Sequence, residues 1–574
     1  MVIVMVTVMV TATDNAGFET CVSSDPTNNC KKINDFNLNM LTDSYNDGPF
    51  IYRLNDTGTG PLLLTQVCLE RGWREYTSEA SEQWNLWWRS SSFPIHYHKS
   101  LRNWQYINHV PQGSLICRKD NLVRYLRCMR KIYGSIYDFS PNGYNLPSEY
   151  TKLAAEYSSK RPLPKSSHSF RVGKPIWICK PVSQSQGKGI FIFTKLSELS
   201  YDTNTIVQRY IENPLLIGGY KFDLRLYVCI PSYHPMTVYL YQEGLVRFGT
   251  DKFTLKDLES PFRHLTNTSI NKLSPGYTEM KENIGSGCKW TLRQLRRYFQ
   301  QIGVCDWLLW QKISVLIVLT LLSQAKYIPP SINCFEFFGV DVLIDNMLKP
   351  WLLEVNLSPA LGNDCDVDRL VKKPMLHEMF DLLGLPLCNM ALPTYAIWDN
   401  ETKECSRGKY VMEDLSVQSS ALMIHVAKKW RNHNKIQDKQ ISKNKSITIQ
   451  EPQTPSFKYS HSQKLHALEE TLTVRKINNK PMDAKLSNKW SNGRNWKNAP
   501  PHEGRWVRIW PMNLCINYNT ATHFSTKSVV AQMVKFNKMA RNISKKYPAA
   551  TDSQLNEYLQ VEMSMSGEIW LPSI

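Results

Sequence analysis

The chain has 574 residues, with 69 Lys and Arg against 50 Asp and Glu for a formal net charge of +19, and 42% of its residues are hydrophobic. That apolar share excludes disorder along the whole length, and the length predicts three or four domains at roughly 100–200 residues each. No run approaches the ~18 consecutive apolar residues of a membrane span. The 14 cysteines include no CxxC pair, which argues against a zinc site or a disulfide framework and for reduced thiols in the cytosol.

The charge is uneven. Residues 401–574 hold 27 basic and 14 acidic side chains, and the first 400 hold 42 and 36. Most of the excess therefore lies in the last third of the chain. It implies a polyanionic partner: nucleic acid, an anionic membrane or an acidic protein surface.

In chain order, residues 1–46 are expected to be an N-terminal extension without structure. Their apolar start, Met1 to Thr13, lacks a preceding basic residue and is too short to span, so it makes a poor signal peptide. Residues 47–115 carry Trp73, Trp84, Trp87, Trp88 and Trp104, which predicts a small packed domain, because tryptophan mostly reports burial. Residues 116–210 read as a mixed α/β central domain. Leu122, Leu126 and Met129 fit one helical face, the run Pro175 to Pro181 reads as a short strand stopped by proline, and 158–170 reads as a loop. Residues 211–390 hold the strongest patterns. Trp307 to Leu322 is the most apolar stretch, but Gln311 and Lys312 interrupt it, so a helix buried among other elements is expected. After Met390 the periodicity fades. Residues 391–574 are expected to form a basic, mostly disordered tail with a short amphipathic helix near Val529 to Met539.

Three polar clusters sit inside apolar strands. In Gly219 to Val228, alternation puts Lys221, Asp223 and Arg225 on one face and Phe222, Leu224 and Leu226 on the other. Three adjacent charges cost desolvation unless they meet solvent or a ligand, so the segment is either a salt-bridged edge strand or a row of cations meeting phosphate, with Asp223 holding them in place. Asp341 and Asp345 share a face of the next strand, and Glu354 and Asn356 a face of the one after it. The short loop 346–349 joins the two as a hairpin, which would bring Asp341, Glu354 and Asn356 together. Two carboxylates and an amide oxygen suit Mg²⁺ that also holds phosphates; an acidic surface hairpin is the alternative. Finally, Gln186-Gly187-Lys188-Gly189-Ile190 is a glycine loop that lets the backbone approach phosphate, though it lacks P-loop spacing and also fits a flexible surface loop.

Taken in order, these segments resemble the tubulin tyrosine ligase-like family over roughly residues 47–390. The likeness rests on Cys117–Leu122, the Lys180–Ile190 loop, Val207–Ile211, Lys221–Arg225, Glu243–Arg247, His264–Asn267 and the strands of Asp341 and Glu354. It implies an α/β, ATP-grasp-like, three-part catalytic core, and the polyglutamylase branch in particular. It further implies that Lys119, Lys180 and the 186–190 loop contact ATP phosphates. Gln208, Arg209, Tyr210 and Ile211 line the adenine pocket, and Lys221 and Asp223 meet ribose and phosphate. Arg225 and Arg247 grip the transferred phosphate, Thr266 and Asn267 close the site, and Asp341, Glu354 and Asn356 bind Mg²⁺. The implied reaction joins a tubulin-tail glutamate carboxylate, activated by ATP, to the amine of free glutamate. The implied partners are tubulin and microtubules, with accessory subunits where the enzyme needs them, no membrane, and nucleic acid only as a minor alternative. The implied places are the cytoplasm, the microtubule cytoskeleton and the cilium or flagellum with its basal body. A glycine or tyrosine ligase on the same fold, and a non-catalytic basic microtubule-binding protein, are the competing readings.

Overall fold

The computed structural model describes residues 50–58, 60–77, 84–158, 175–200, 204–278, 288–387, 494–512, 525–565 and 567–574. The expectations for residues 1–46, for most of the 158–170 loop and for 391–493 fall outside these. Three sheets organise the described residues.

The first sheet is parallel. Its strands β1 (Ile51–Leu54), β2 (Arg74–Glu75), β3 (Leu86–Trp88) and β4 (Tyr106–Ile107) lie in the order β2-β1-β3-β4. Helix α1 (Leu62–Glu70) connects β1 to β2. Trp73, Trp84, Trp87 and Trp88 are buried, whereas Trp104 is partly exposed. Next comes helix α2 (Lys119–Tyr133), which buries Leu122, Leu126 and Met129 on one face.

The second sheet is antiparallel. It contains β5 (Gly143–Leu146), β6 (Trp177–Pro181), β7 (Phe191–Phe193) and β8 (Thr205–Arg209), ordered β5-β8-β6-β7. Helix α3 (Tyr150–Ser158) adds Leu153 to its core of Leu146, Trp177, Cys179, Phe193 and Val207.

The third sheet has nine strands. They are β9 (Leu216–Ile217), β10 (Tyr220–Tyr233), β11 (Met236–Tyr241), β12 (Leu245–Lys252), β13 (Lys289–Thr291), β14 (Glu336–Ile344), β15 (Pro350–Asn356), β16 (His502–Glu503) and β17 (Trp506–Trp510). The 14-residue β10 pairs with β9, β11, β12 and β14. It is thus the centre of the sheet, not an edge, and its Phe222, Leu224 and Leu226 are fully buried. Strands β14 and β15 form the expected hairpin, with Asp341 opposite Glu354. Helices α4 (Leu292–Gln301), α5 (Trp307–Ala325) and α6 (Asp366–Leu382) accompany this sheet. The most apolar stretch of the chain is α5, buried along nearly its whole length, including Gln311, whose Nε2 donates to the Trp570 carbonyl over 3.3 Å.

The expected tail is corrected in part. Residues 494–512 and 525–574 supply β16 and β17 and helices α7 (Thr526–Lys546) and α8 (Asp552–Met563). Strand β17 pairs with β11 and all five of its residues are buried. Helix α7 is longer than expected and places Val529, Met533, Phe536 and Ile543 in the main core that α5 also joins. Burying each such side chain contributes roughly 1.5–3 kcal/mol. Arg505 pairs with Glu378 of α6 at 2.8 Å, and the buried Arg296 of α4 donates to the Pro572 carbonyl at 2.7 Å. The net basic composition of the tail hid a short apolar strand that pairs with the β11 edge.

Candidate active site

Between the second sheet and the face of β10, β12, β14 and β15 lies an open cavity, with about 910 Å³ of empty space when the solvent at its mouth is included. Alternation along β10 turns Lys221 and Asp223 into it, while the residues between them pack in the core. Lys180 enters from β6, Gln208 and Arg209 from the end of β8, Arg247 from β12, and Asp341 and Glu354 from the hairpin. Lys119, Tyr210, Ile211, Thr266 and Asn267 complete the wall, together with Gln186, Gly187, Lys188 and Ile190.

Four charged side chains form an alternating row. Arg247 binds Asp223 through Nε at 2.8 Å and Nη2 at 2.5 Å, and its Nη2 also lies 2.9 Å from Asp341 Oδ2. Asp341 in turn accepts from Arg225 Nε at 2.5 Å and Nη2 at 3.1 Å. Burial opposes the charged form of Asp341, but Arg225 and Arg247 overcome it and hold the carboxyl well below its usual range. Asp223 thus serves Arg247. Arg225 does not line the cavity: it stands behind Asp341, its side chain against Gly339, where a Cβ would come within 3.1 Å of Arg225 Cδ.

Glu354 differs from Asp341, its cross-strand neighbour. Among the described residues its carboxylate has no hydrogen-bond or ion-pair partner. Burial, then the Asp341 charge, push its pKa up against the pull of Lys119, Lys180 and Arg225. Burial likewise pulls the Lys180 ammonium down to about 8 and the Lys221 ammonium to about 7. Lys180 Nζ donates to Gln208 Oε1 at 3.0 Å. The cavity therefore holds cations that gain from a phosphate and an acid that gains from a cation.

The donor set fits a divalent cation. Asn356 Nδ2 faces Asp341 Oδ2 at 3.4 Å, which leaves its Oδ1 free to coordinate beside Asp341 and Glu354. Among the described residues no three His, Cys, Asp or Glu side chains converge on one point. An ion here would thus keep ligand positions for phosphate oxygens and water, as Mg²⁺ prefers. Asp345 is elsewhere engaged: Oδ1 accepts from the Met347 and Lys349 amides and Oδ2 from Trp351 Nε1, so it shapes the hairpin turn.

The glycine loop forms part of the cavity wall. Gln186, Gly187 and Gly189 have φ of 61°, 81° and 68°, a left-handed run that glycine makes cheap. Lys119 Nζ holds the Gln184 carbonyl at 2.8 Å, and Ser269 Oγ the Gln186 carbonyl at 3.3 Å. Gly189 and Asn356, like Arg225, stand outside the cavity wall.

Several lining residues were not singled out from the sequence. Gln184 and Ser185 extend the loop, and Ile178, Leu343 and Leu353 add apolar wall. The alternation that selects Asp341 also selects Leu343. Leu353 had no such signal: a register shift pairs Asp341 with Glu354 but Val342 with Leu352, so Leu353 is the extra residue of a bulge. His264 and Leu265 belong to the His264–Asn267 motif but had been given no role.

A family model described as the tubulin-tyrosine ligase family matches residues 97–392. Among reviewed proteins, the chain is 47% identical over 340 residues to "Probable tubulin polyglutamylase TTLL2" of Homo sapiens, covering 59% of this chain and 56% of that protein. It is 46% identical over 340 residues to the Mus musculus protein of the same name, covering 59% and 62%, and 35% identical over 363 residues to "Tubulin polyglutamylase TTLL5" of Mus musculus, covering 61% and 26%. The chain thus spans little more than half the length of the two TTLL2 relatives.

Proposed function

The chain belongs to the tubulin-tyrosine ligase family, and on that premise we propose that it is an ATP- and Mg²⁺-dependent ligase that adds glutamate to glutamate side chains of tubulin tails. One observation carries the reading: a single cavity joins two lysines that have no ion-pair partner among the described residues, Lys180 and Lys221, to the unpartnered carboxylate of Glu354. The similar proteins named tubulin polyglutamylases support the substrate class.

The chemistry needs activation because oxide is a hopeless leaving group from a carboxylate. A tail carboxylate oxygen attacks the γ-phosphorus of ATP and ADP leaves; the glutamate amine then attacks the acyl carbon, phosphate leaves, and an isopeptide amide remains. In this chain Lys180 and Lys221 neutralise nucleotide oxygens, and the backbone of the 184–190 loop covers them. Asp223 fixes Arg247 so that its guanidinium meets the transferred phosphoryl group without reorganising. Asp341, Glu354 and Asn356 would hold Mg²⁺, which when bound supplies charge neutralisation at the phosphates. The Ile178, Leu343 and Leu353 side chains keep water from one wall.

Docking has its own support. The outer face of α7 exposes Lys527, Lys535, Lys538, Arg541, Lys545 and Lys546, and the helix contains no acid. Such a face attracts an acidic tail, which agrees with a microtubule partner and a place on the cytoskeleton. The test is the full chain with ATP, microtubules and labelled glutamate, glycine or tyrosine in parallel. Glutamate incorporation alone is expected; incorporation of glycine or tyrosine instead would reassign the donor, and none of the three would overturn the ligase reading.

A further inference from the structure

We propose that Tyr210 and His264 are positioning residues that fix the Lys221 ammonium with a single N–H left for the nucleotide. This rests on the nucleotide reading of the cavity. The argument starts at the far end of a hydrogen-bond chain whose direction has one solution. His264 Nε2 lies 2.7 Å from the Asp257 carbonyl oxygen. A carbonyl only accepts, so Nε2 carries the proton. His264 is buried, and burial, reinforced by the Lys221 and Arg263 charges, lowers its pKa, so the ring is neutral and Nδ1 accepts. Its donor is the Tyr210 hydroxyl at 2.9 Å. With its own proton committed, the Tyr210 oxygen accepts from Lys221 Nζ at 3.0 Å. A second Lys221 N–H goes to the His264 carbonyl at 2.7 Å.

Two of three ammonium hydrogens are thereby spent on the wall. The Tyr210 ring, with its centroid 4.7 Å from Nζ, limits the approach from one more side. What remains depends on the charge of Lys221. Protonated, it offers one N–H to the cavity; neutral, it still satisfies both wall acceptors and turns a lone pair on the nucleotide. The charged groups acting on Lys221 are Asp223 on its own strand and Lys180 from β6, and it is held by the neutral Tyr210 hydroxyl and His264 carbonyl; Asp257 and Arg263 act on His264. Only Asp223 among them favours the charged form by its own charge, and it is already engaged by Arg247. The Tyr210 oxygen is therefore a principal support of the ammonium. Nucleotide binding should draw a proton onto Lys221, and Tyr210 and His264 set the pH at which that happens.

The experiment is ADP binding to the full chain by titration calorimetry at several pH values, for wild type, Tyr210→Phe, His264→Leu and His264→Asn. Asn keeps an oxygen acceptor for Tyr210; Leu does not. Lys180 lines the same cavity and contributes to the wild-type slope, so the readout is the difference between proteins. Expected is a wild-type affinity that falls above about pH 7, by up to about tenfold per pH unit for one linked proton. Tyr210→Phe and His264→Leu should move the fall to lower pH by about half a unit or more, because a hydrogen bond to the charged form is lost. Their loss relative to wild type should be smallest at about pH 6, and His264→Asn should bring the pH profile back toward wild type relative to His264→Leu. Wild-type profiles in Tyr210→Phe and His264→Leu, or an equal loss at every pH, would overturn the positioning role while leaving the nucleotide site intact. Absence of ADP binding by the wild type at every pH would overturn the nucleotide reading itself.

Discussion

Asp341 stands directly opposite Glu354 in the β14–β15 hairpin, and the two carboxylates are in opposite electrical situations. Asp341 is clamped between Arg225 and Arg247, whereas Glu354 has only the repulsion of Asp341 and the distant pull of lysines. One acid is thus structural in the free protein and the other is poised for a cation.

Asp341→Asn should cost stability, since it leaves two buried guanidinium groups short of charge. Breaking a buried pair costs about 3–5 kcal/mol. The folded pKa of Asp341 is depressed, so its contribution is present above the unfolded carboxyl value near ~3.9 and is lost as pH falls through the folded one. Urea unfolding at neutral pH should show the loss, and the two proteins should converge in strong acid.

A chain ending at residue 493 should not fold as the full one does. It would expose the β11 edge, the α5 face covered by α7, and the Arg296 partner at Pro572. Loss of the cooperative thermal transition, or aggregation on expression, is the expected result; a soluble truncated chain that binds ADP normally would count against it.

Gly187→Ala should weaken nucleotide binding selectively. The residue sits at φ 81°, and a Cβ there would collide with Ile270 and lie 2.9 Å from Asn267 Oδ1. Left-handed strain alone costs about 1–2 kcal/mol. A KM for ATP raised several-fold with a smaller change in kcat is expected from steady-state kinetics.

Reversing Lys535, Lys538 and Arg541 to Glu should cut microtubule co-sedimentation by roughly tenfold or more at low salt and flatten its salt dependence. All three side chains are exposed on α7, away from the cavity wall. Glutamylation of a short tail peptide, which reaches the distant cavity without the rest of the microtubule surface, should fall less than co-sedimentation does.

The site was legible in the sequence wherever period-two alternation carried it. Lys221, Asp223 and Arg225 against Phe222, Leu224 and Leu226 could be sorted by face, and the hairpin brought Asp341 to Glu354. Partners across the sheet were not legible: alternation suggests that Asp223 holds cations, but not that the one it binds is Arg247, 24 positions away on β12. Leu353 was missed because a bulge breaks the alternation. His264 acts through Tyr210, 54 positions away, and no spacing announces such a contact. The same limit explains the tail: five residues of β17 amid polar sequence read as coil until β11 supplies the ladder.

The central claim is tested most directly by mass spectrometry of a tubulin tail peptide after incubation with ATP, Mg²⁺ and glutamate, comparing wild type with Glu354→Gln. Because the Glu354 pKa is raised, its charge costs stability at neutral pH, so the variant should unfold at an equal or higher temperature and still bind ADP. Wild type should add glutamate through side-chain amides and release one ADP per residue added, while Glu354→Gln adds none above about one hundredth of that rate. Addition by the variant at the wild-type rate, or ADP release by the wild type with an unmodified tail, would contradict the account.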